Sequence, residues 1–568
     1  MKPILKLITL GLFLLGCTPE ESTSADDRIR GVMADSAMVV TTHPLASQVG
    51  LDILAKGGNS FDAAVAVHFA LAVVFPEAGN VGGGGFAVIR TEKGELASLD
   101  FREKAPLSAG RDMYLDSSGD VISGMSRLGH LASGVPGSVA GMWEVHQKYG
   151  SLPWESLVEP SIKLAGEGFL ITDLGANNIN GALDYIAQAT QYSPWILKEG
   201  GWSEGDSVIQ EELASTLKKI GSKGRDGFYL GETADLIVAE MTRGKGLITA
   251  TDLEKYEAIW RDPVVGEYRG HKIISMPPPS SGGVALLQLL KGAEQFDIKS
   301  LGHNTSKTLH ILTELERRVY ADRATYLGDP DFVDVPVTML VSEAYNRKRN
   351  ASIDLSQKTA SQDIKEGSVD VIESTQTTHY SIVDSKGNAI AVTTTLNGYF
   401  GCKVMVEGAG FFLNNEMDDF SAKPGVPNMF GLIGNEANAI APEKRMLSSM
   451  TPTIIEKNQK LFMVNGTPGG STIITTLFQT TMNVIDHEMT MQEAVNAKRI
   501  HSQWLPDSIY IEPDALPDSV VLGLEALGHG ISSRQRNMGK VNAILAYPEG
   551  QLEGAADYTR GDGTALGY

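Results

Sequence analysis

A polar stretch that runs straight into two β-rich segments constrains this chain more than any other feature. Residues 351 to 376 read "ASIDLSQKTASQDIKEGSVDVIESTQ", with few large apolar side chains, the composition of a surface linker. Directly after it, "TTHYSIVDSKGNAIAVTTT" predicts two strands, at 379–384 and 389–395, with the turn residues Ser385-Lys386-Gly387-Asn388 between them. Threonine crowds the open end of this hairpin: Thr375, Thr377 and Thr378 before the first strand, Thr393 to Thr395 closing the second. An internal threonine is a weak nucleophile, because its hydroxyl needs a base close by. If the Gln376–Thr377 bond is broken, Thr377 gains an α-amine with a reference pKa of about 7.7–8.0. That amine can take the proton from the hydroxyl of the same residue, so nucleophile and base come as one unit. Taken alone, "TTHYS" reads first as β-branched residues opening a strand; the motifs around it shift the balance.

The rest of the chain supplies the frame. At 568 residues, with 42% hydrophobic and 21% charged side chains, it is a globular protein of two to four domain-sized units. "ASQVGLDILAKGGNSFDAAVAVHFALAVVFPEAG" predicts a helix, a Gly57-Gly58 stop, an Asn59-Ser60 cap and a second helix. Near-continuous apolarity from Ala63 to Val74 predicts burial of that second helix on several sides. "GGGGFAVIRTEKGELASLDFRE" predicts two strands joined at Glu92-Lys93-Gly94, with Arg102 at the end of the second, where it can enter a cleft. Residues 135 to 350 are largely helical in pattern, interrupted by "MPPPSSGG" at 276–283, a rigid loop. Later come a hairpin (453–456 and 461–465), a Gly-rich turn and a helix from about Ser471. The fold class is therefore α/β (α+β), with helices covering antiparallel sheets on both sides and the main boundary just before Thr377.

Several functions are excluded. A net charge of −21 argues against nucleic acid, which needs a basic surface. There is no G-x-x-x-x-G-K-[ST], no H-E-x-x-H, and the 11 histidines do not cluster at ligand spacing, so no metal and no nucleotide are expected. Gly82–Gly85 lacks the spacing of a dinucleotide fingerprint. The N-terminus, "MKPILKLITLGLFLLGC", has two lysines and a short apolar run, the pattern of an export signal (1–16) rather than a membrane span. "LLGC" is similar to the lipobox of bacterial lipoproteins, which implies lipidation of Cys17 and a polar tether over 17–30; the bland alternative is a plain cleaved signal. Cys402 is the only other cysteine, so no intrachain disulfide is expected once Cys17 is acylated.

Motifs in order along the chain decide between the readings of Thr377. "LDFREKAP", "GVPGSVAGMWEVHQKYGSLPW", "MPPPSSGG", "LGDPDFVDVP", "TTHYSIVDSKGNAIAVTTTLNGYFG", "NNEMDDFSAKPGVPN", "KRMLSSMTPTI" and "NGTPGGS" together resemble the γ-glutamyltranspeptidase (glutathione hydrolase) family of N-terminal nucleophile hydrolases. The resemblance spans roughly Gly31 to Tyr568. It implies a four-layer αββα sandwich, self-cleavage between Gln376 and Thr377, a large subunit ending at 376 and a small catalytic subunit, 377–568. The two would stay together as a heterodimer. It also implies no cofactor, γ-glutamyl donors such as glutathione, and water or amino acid and dipeptide acceptors; together with the lipobox-like N-terminus, the expected location is periplasmic, as a membrane-anchored lipoprotein of a bacterium.

By the same resemblance, Thr377 is the nucleophile and Thr395 its hydrogen-bond partner, while Gly469 and Gly470 form the oxyanion hole. Arg102, Ser448 and Ser449 match the binders of the donor's α-carboxylate. Asn397, Glu416 and Asp419 match the ammonium side. Phe430 falls in a lid loop where many bacterial relatives carry tyrosine, and without the hydroxyl a looser closure is implied. Read without the family, Arg102 is a surface ion pair, Ser448-Ser449 a capped turn and "TPGGS" a tight strand-to-helix turn. His379 is read as structural, since a free amine makes a second base unnecessary. The carboxy-terminal "AADYTRGDGTALGY" is expected to pack against the small subunit. Two alternatives stay open: a related acylase acting on glutaryl-cephalosporin or poly-γ-glutamate, and a non-catalytic lipoprotein that keeps the fold.

Overall fold

The computed structural model describes residues 28–364 and 377–568. The export segment, Cys17, Gln376 and the second half of the polar linker lie outside the described residues. Two seven-stranded sheets, antiparallel throughout, form the centre. One sheet runs, edge to edge, through Val32–Ala34, Leu552–Ala556, Asn542–Ala546, Lys460–Asn465, Thr453–Lys457, His271–Ser275 and Val264–Tyr268. The other runs through Thr564–Gly567, Met38–Thr41, Thr378–Val383, Ala389–Thr395, Gly84–Arg90, Leu96–Phe101 and Ile259–Arg261.

Alternation along the second sheet shows how the layers stack. Val39, Ala87, Ile89, Ile390 and Val392 face a helical layer that includes Pro44–Ala55, Ser60–Val74 and Ser138–Tyr149. Their neighbours Met38, Val40, Phe86, Val88 and Ala391 face the first sheet. Helices Gly282–Ala293, Ser306–Tyr326 and Thr472–Ile485 cover that first sheet and belong to the same core. With apolar residues on both faces of its strands, the sandwich is buried on all sides, giving the αββα order.

Helix Ser60–Val74 forms where its sequence places it. The Asn59 side chain accepts from the backbone of Phe61 and Asp62, and Asp62 returns a bond to the Asn59 N–H, a complete capping box. Every residue of the helix is buried.

Three differences from the sequence reading matter. The stretch from 135 to 350 also contains strands Ile259–Arg261 and Val264–Tyr268, which form sheet edges, and His271–Ser275, which lies next to the second of these edges. They are short, and the first two are only partly buried while His271–Ser275 is buried almost throughout, so no alternation stands out within a helical neighbourhood. Part of the polar linker is ordered: Ser361–Ile364 is helical and Ile364 is buried. The chain's last strand, Thr564–Gly567, pairs with Met38–Thr41 from the N-terminal part rather than with a strand of its own part. Met38–Thr41 thus lies between two strands that follow residue 377. Among the described residues no helix is long and apolar enough to cross a membrane.

Asn59→Ala removes the cap of a fully buried helix and is expected to cost about 1 kcal/mol of stability. A lowered denaturant midpoint would show it; an unchanged midpoint would contradict the capping assignment.

Candidate active site

The hairpin predicted from the threonine-rich segment is present, one residue earlier than read, as Thr378–Val383 against Ala389–Thr395. Thr378 pairs with Thr394, so extending the antiparallel register by one residue sets Thr377 across from Thr395. The Thr395 hydroxyl accepts from the Asn397 backbone N–H at 2.7 Å, with Asn397 in the left-handed region (φ 71°). The Asn397 amide then donates to the Asn415 carbonyl at 3.0 Å, which aims the side chain.

Behind Thr377 the strand start is braced. The hydroxyls of Thr42 and Thr378 share a hydrogen bond of 2.8 Å. The Asn542 amide donates both to Thr42 Oγ1 (3.1 Å) and to the His379 carbonyl (2.8 Å). His379 itself is buried between the hydroxyls of Thr393 (2.8 Å) and Ser381 (3.0 Å), and burial lowers its pKa to about 3. With both nitrogens occupied and the ring neutral, it is built to hold the sheet rather than to move a proton.

A pocket of about 280 Å³ opens beside Thr377. Thr395, Asn397, Arg102, Glu416, Asp419, Ser448, Ser449, Phe430 and Gly470 all line it. Of the predicted site within the described residues, only Gly469 stands back from the wall. Its carbonyl accepts from the N–H and the hydroxyl of Thr472, fixing the first turn of helix Thr472–Ile485.

The pocket has two electrostatic ends. At one, the fully buried Arg102 guanidinium contacts Glu416 Oε2 at 2.6 Å and Asp419 Oδ2 at 2.5 Å, with Glu103 Oε2 at 3.6 Å. Burial works against this cation, but the coulombic pull of Glu416, Asp419 and Glu103 outweighs it and keeps it protonated. Burial also raises the carboxyls of Glu416 and Asp419, with Arg102 opposing, and lifts Glu103 to about 8. Neither Glu103 oxygen has a hydrogen-bond partner among the described residues. One guanidinium among three buried carboxyls is an acidic excess, and a second cation in the pocket would relieve it.

At the other end, the "MPPPSSGG" loop braces the serine pair. Ser448 N–H donates to the Pro279 carbonyl, and the Ser448 carbonyl accepts from Ser281 N–H (2.8 Å) and Ser281 Oγ (2.6 Å). Arg323, on helix Ser306–Tyr326, donates to Ser281 Oγ (2.9 Å) and Ser449 Oγ (3.2 Å). It is buried, which lowers its pKa to about 10, and it has no carboxylate partner within salt-bridge distance among the described residues. Sequence reasoning missed Arg323, because "RRVYADRATYL" reads as an ordinary helix face. The Arg323 guanidinium stands behind Ser449, which lines the pocket, and its positive charge makes that end the one suited to an anion.

Phe430, read from the sequence as a lid residue, forms one wall of the pocket. Gly470 has φ 56°, and a Cβ there would come within 2.5 Å of the Phe430 ring. Phe430 is buried, and its loop is fastened by backbone and side chain rather than by a hydroxyl. Asn428 donates to Asp419 Oδ1 (2.9 Å), Met429 N–H to Asp418 Oδ2 (2.8 Å), and Gln503 to the carbonyls of Phe430 (3.3 Å) and Gly431 (3.1 Å). Among the described residues no three His, Cys, Asp or Glu side chains group as a metal site.

Two antiparallel sheets between helices, with a threonine heading a central strand beside a closed polar pocket, define an N-terminal nucleophile hydrolase fold. The sequence model described as "Gamma-glutamyltranspeptidase" matches residues 46–568. The glutathione hydrolase proenzyme of Escherichia coli K12 is 46% identical over 96% of this chain and 94% of its own length. The glutathione hydrolase proenzyme of Pseudomonas aeruginosa is 43% identical over 100% and 99%. Among solved structures, a cephalosporin acylase from Bacillus halodurans superposes with a TM-score of 0.82 at 27% identity, covering 96% of this chain and 98% of its own. The chain belongs to the γ-glutamyltranspeptidase family.

The contact between Gly470 and Phe430 yields a prediction. Gly470→Ala must displace the lid ring and distort the backbone beside Thr377, and is expected to lower kcat/KM at least about tenfold. Adding Phe430→Ala should recover part of that loss. A Gly470→Ala protein as active as the parent would contradict the contact.

Proposed function

We propose that this protein is a γ-glutamyltransferase and glutathione hydrolase that works through an ester on Thr377. The observation that carries the reading is the two-ended pocket beside that threonine. A γ-glutamyl group ends in an α-carboxylate and an α-ammonium. The carboxylate suits Ser448, Ser449 and the buried cation Arg102, with Arg323 behind Ser449; the ammonium suits Asn397, Glu416 and Asp419, where it would offset the acidic excess. Charge-assisted hydrogen bonds of this kind contribute roughly 1.5–3 kcal/mol each.

In this mechanism the precursor cleaves itself between Gln376 and Thr377, freeing the Thr377 amine. The amine takes the hydroxyl proton as Oγ attacks the γ-carbonyl, with Thr395 orienting the hydroxyl. Backbone N–H groups at Gly469 and Gly470 stabilise the oxyanion, each such donor contributing about 3–4 kcal/mol. The C–N bond breaks, the departing amine takes the proton, and a γ-glutamyl ester remains. Water, or the amine of an amino acid or peptide, then attacks the ester and restores Thr377. The shared sheet, with Met38–Thr41 held between strands from beyond residue 377, supports a heterodimer that survives the cut. Export as a lipoprotein anchored at Cys17 belongs to the same reading and is supported by the "LLGC" sequence.

The rival is an acylase such as the structural neighbour. A glutaryl group has the carboxylate but no ammonium, so Glu416 and Asp419 would share the Arg102 guanidinium with no second cation beside them. Comparing γ-glutamyl-p-nitroanilide with glutaryl-p-nitroanilide separates the two. At least a hundredfold preference in kcat/KM for the γ-glutamyl compound is expected, with Thr377→Ala abolishing both activities. Equal or inverted preference would overturn the assignment in favour of the acylase.

A further inference from the structure

Three polar residues of helix Ser306–Tyr326 stand on one face of it. Glu316, Tyr320 and Arg323 are spaced i, i+4 and i+7, so their side chains lie one above another, and all three are buried. Each reaches a different segment around the donor pocket. Arg323 donates to Ser281 Oγ and Ser449 Oγ, on the serine side. The Tyr320 hydroxyl donates to the Ser471 carbonyl, one residue past Gly470. Glu316 Oε2 accepts from the Ser502 N–H at 2.8 Å, one residue before Gln503.

The turn that Tyr320 holds cannot hold itself. Gly469 and Gly470 have φ 143° and 56°, and without side chains their peptide N–H groups are free to swing. The Gly469 carbonyl is fixed on one side of the pair by Thr472, and the Ser471 carbonyl on the other by Tyr320. Burial raises the Tyr320 phenol far above its ordinary pKa, so it stays a donor. Its ring also meets the His501 ring edge-on, with centroids 5.6 Å apart.

Glu316 acts at one remove. The Gln503 amide donates to the carbonyls of Phe430 and Gly431, and its Oε1 accepts from His501 Nε2 at 2.9 Å. His501 Nδ1 lies 2.8 Å from Thr475 Oγ1, on helix Thr472–Ile485. The Ser502 bond to Glu316 pins the middle of this segment, and with it the Phe430 ring against Gly470. Burial pushes the Glu316 carboxyl well above the usual carboxylate range, so it stands there as a neutral acid.

We infer that Tyr320 and Glu316 are positioning residues for the reaction at Thr377. Tyr320 sets the Gly469–Gly470 turn that faces the oxyanion, and Glu316 sets the Phe430 wall through Ser502 and Gln503. With Arg323 behind Ser449, one helix face keeps three walls of the pocket in register. Both new bonds join residues on opposite sides of the proposed cut, so the site is aligned only while the two parts stay together. Neither residue lines the pocket, and each acts through another. The inference rests on the γ-glutamyl reading of that pocket and adds the residues that align it.

The test is hydrolysis of γ-glutamyl-p-nitroanilide by the parent, Tyr320→Phe, Glu316→Ala and Glu316→Gln. Thr377 sites are counted with a covalent glutamine analogue, so that each rate is per active molecule. Tyr320→Phe loses one oxygen and is expected to lower kcat roughly tenfold while KM moves less than about twofold, because the oxyanion donors serve the transition state. Glu316→Ala leaves the Ser502 N–H unpaired and is expected to lower kcat/KM roughly tenfold. Glu316→Gln can still accept that bond and should recover most of the loss. If Glu316→Ala yields no Thr377 sites, Gln503→Met, which removes the bonds to Phe430 and Gly431, carries the same expectation. A per-site kcat in Tyr320→Phe equal to the parent's overturns the Tyr320 assignment. A per-site kcat/KM in Glu316→Ala or Gln503→Met equal to the parent's, or no recovery in Glu316→Gln, overturns the Glu316 assignment. A correctly cleaved parent that releases no p-nitroaniline overturns the γ-glutamyl reading and this inference with it.

Discussion

Strand Thr378–Val383 is locked on both sides, by Ala389–Thr395 and by Met38–Thr41, and the rest of the site depends on that lock. A strand held in the middle of a buried sheet cannot slip by one residue without turning its apolar face outward. The register therefore fixes where Thr377 stands and which hydroxyl it meets. The Thr42–Thr378 and Asn542–His379 bonds add a polar brace just behind it. Because Met38–Thr41 comes from the other side of the proposed cut, the scaffold that positions Thr377 does not rely on an intact peptide bond before it.

The pocket is organised by charge rather than by apolar area. Arg102 is shared by three buried carboxyls, whereas Arg323 reaches only hydroxyls. One end of the pocket is thus short of a cation and the other short of an anion, over a cavity of about 280 Å³. Such an arrangement is expensive when unfilled and complementary to a small zwitterion. The Phe430 ring sits against Gly470 and adds an apolar wall to this charged pocket.

Much of this was legible in the sequence, for identifiable reasons. The Asn59 cap, the hairpin after residue 377 and the Gly-rich turn before helix Thr472–Ile485 are local devices, and local devices leave local signals. Ten of the predicted site residues line one pocket because several separate motifs converge on it. What stayed hidden was long-range or short-lived in pattern. Strands 259–275 are too brief to show their period among helices. The pairing of Thr564–Gly567 with Met38–Thr41 joins opposite ends of the chain, which no local rule anticipates. Arg323 and the bond from Asn428 to Asp419 acquire meaning only once the fold brings them to the pocket.

Intact-mass measurement with N-terminal sequencing of the purified protein tests the central point, that Thr377 acts through a freed α-amine. Two associated chains are predicted, the smaller beginning Thr377-Thr378-His379. A single uncut chain that still turns over γ-glutamyl-p-nitroanilide at the full rate would contradict it, since Thr377 would then lack the base on which the mechanism depends.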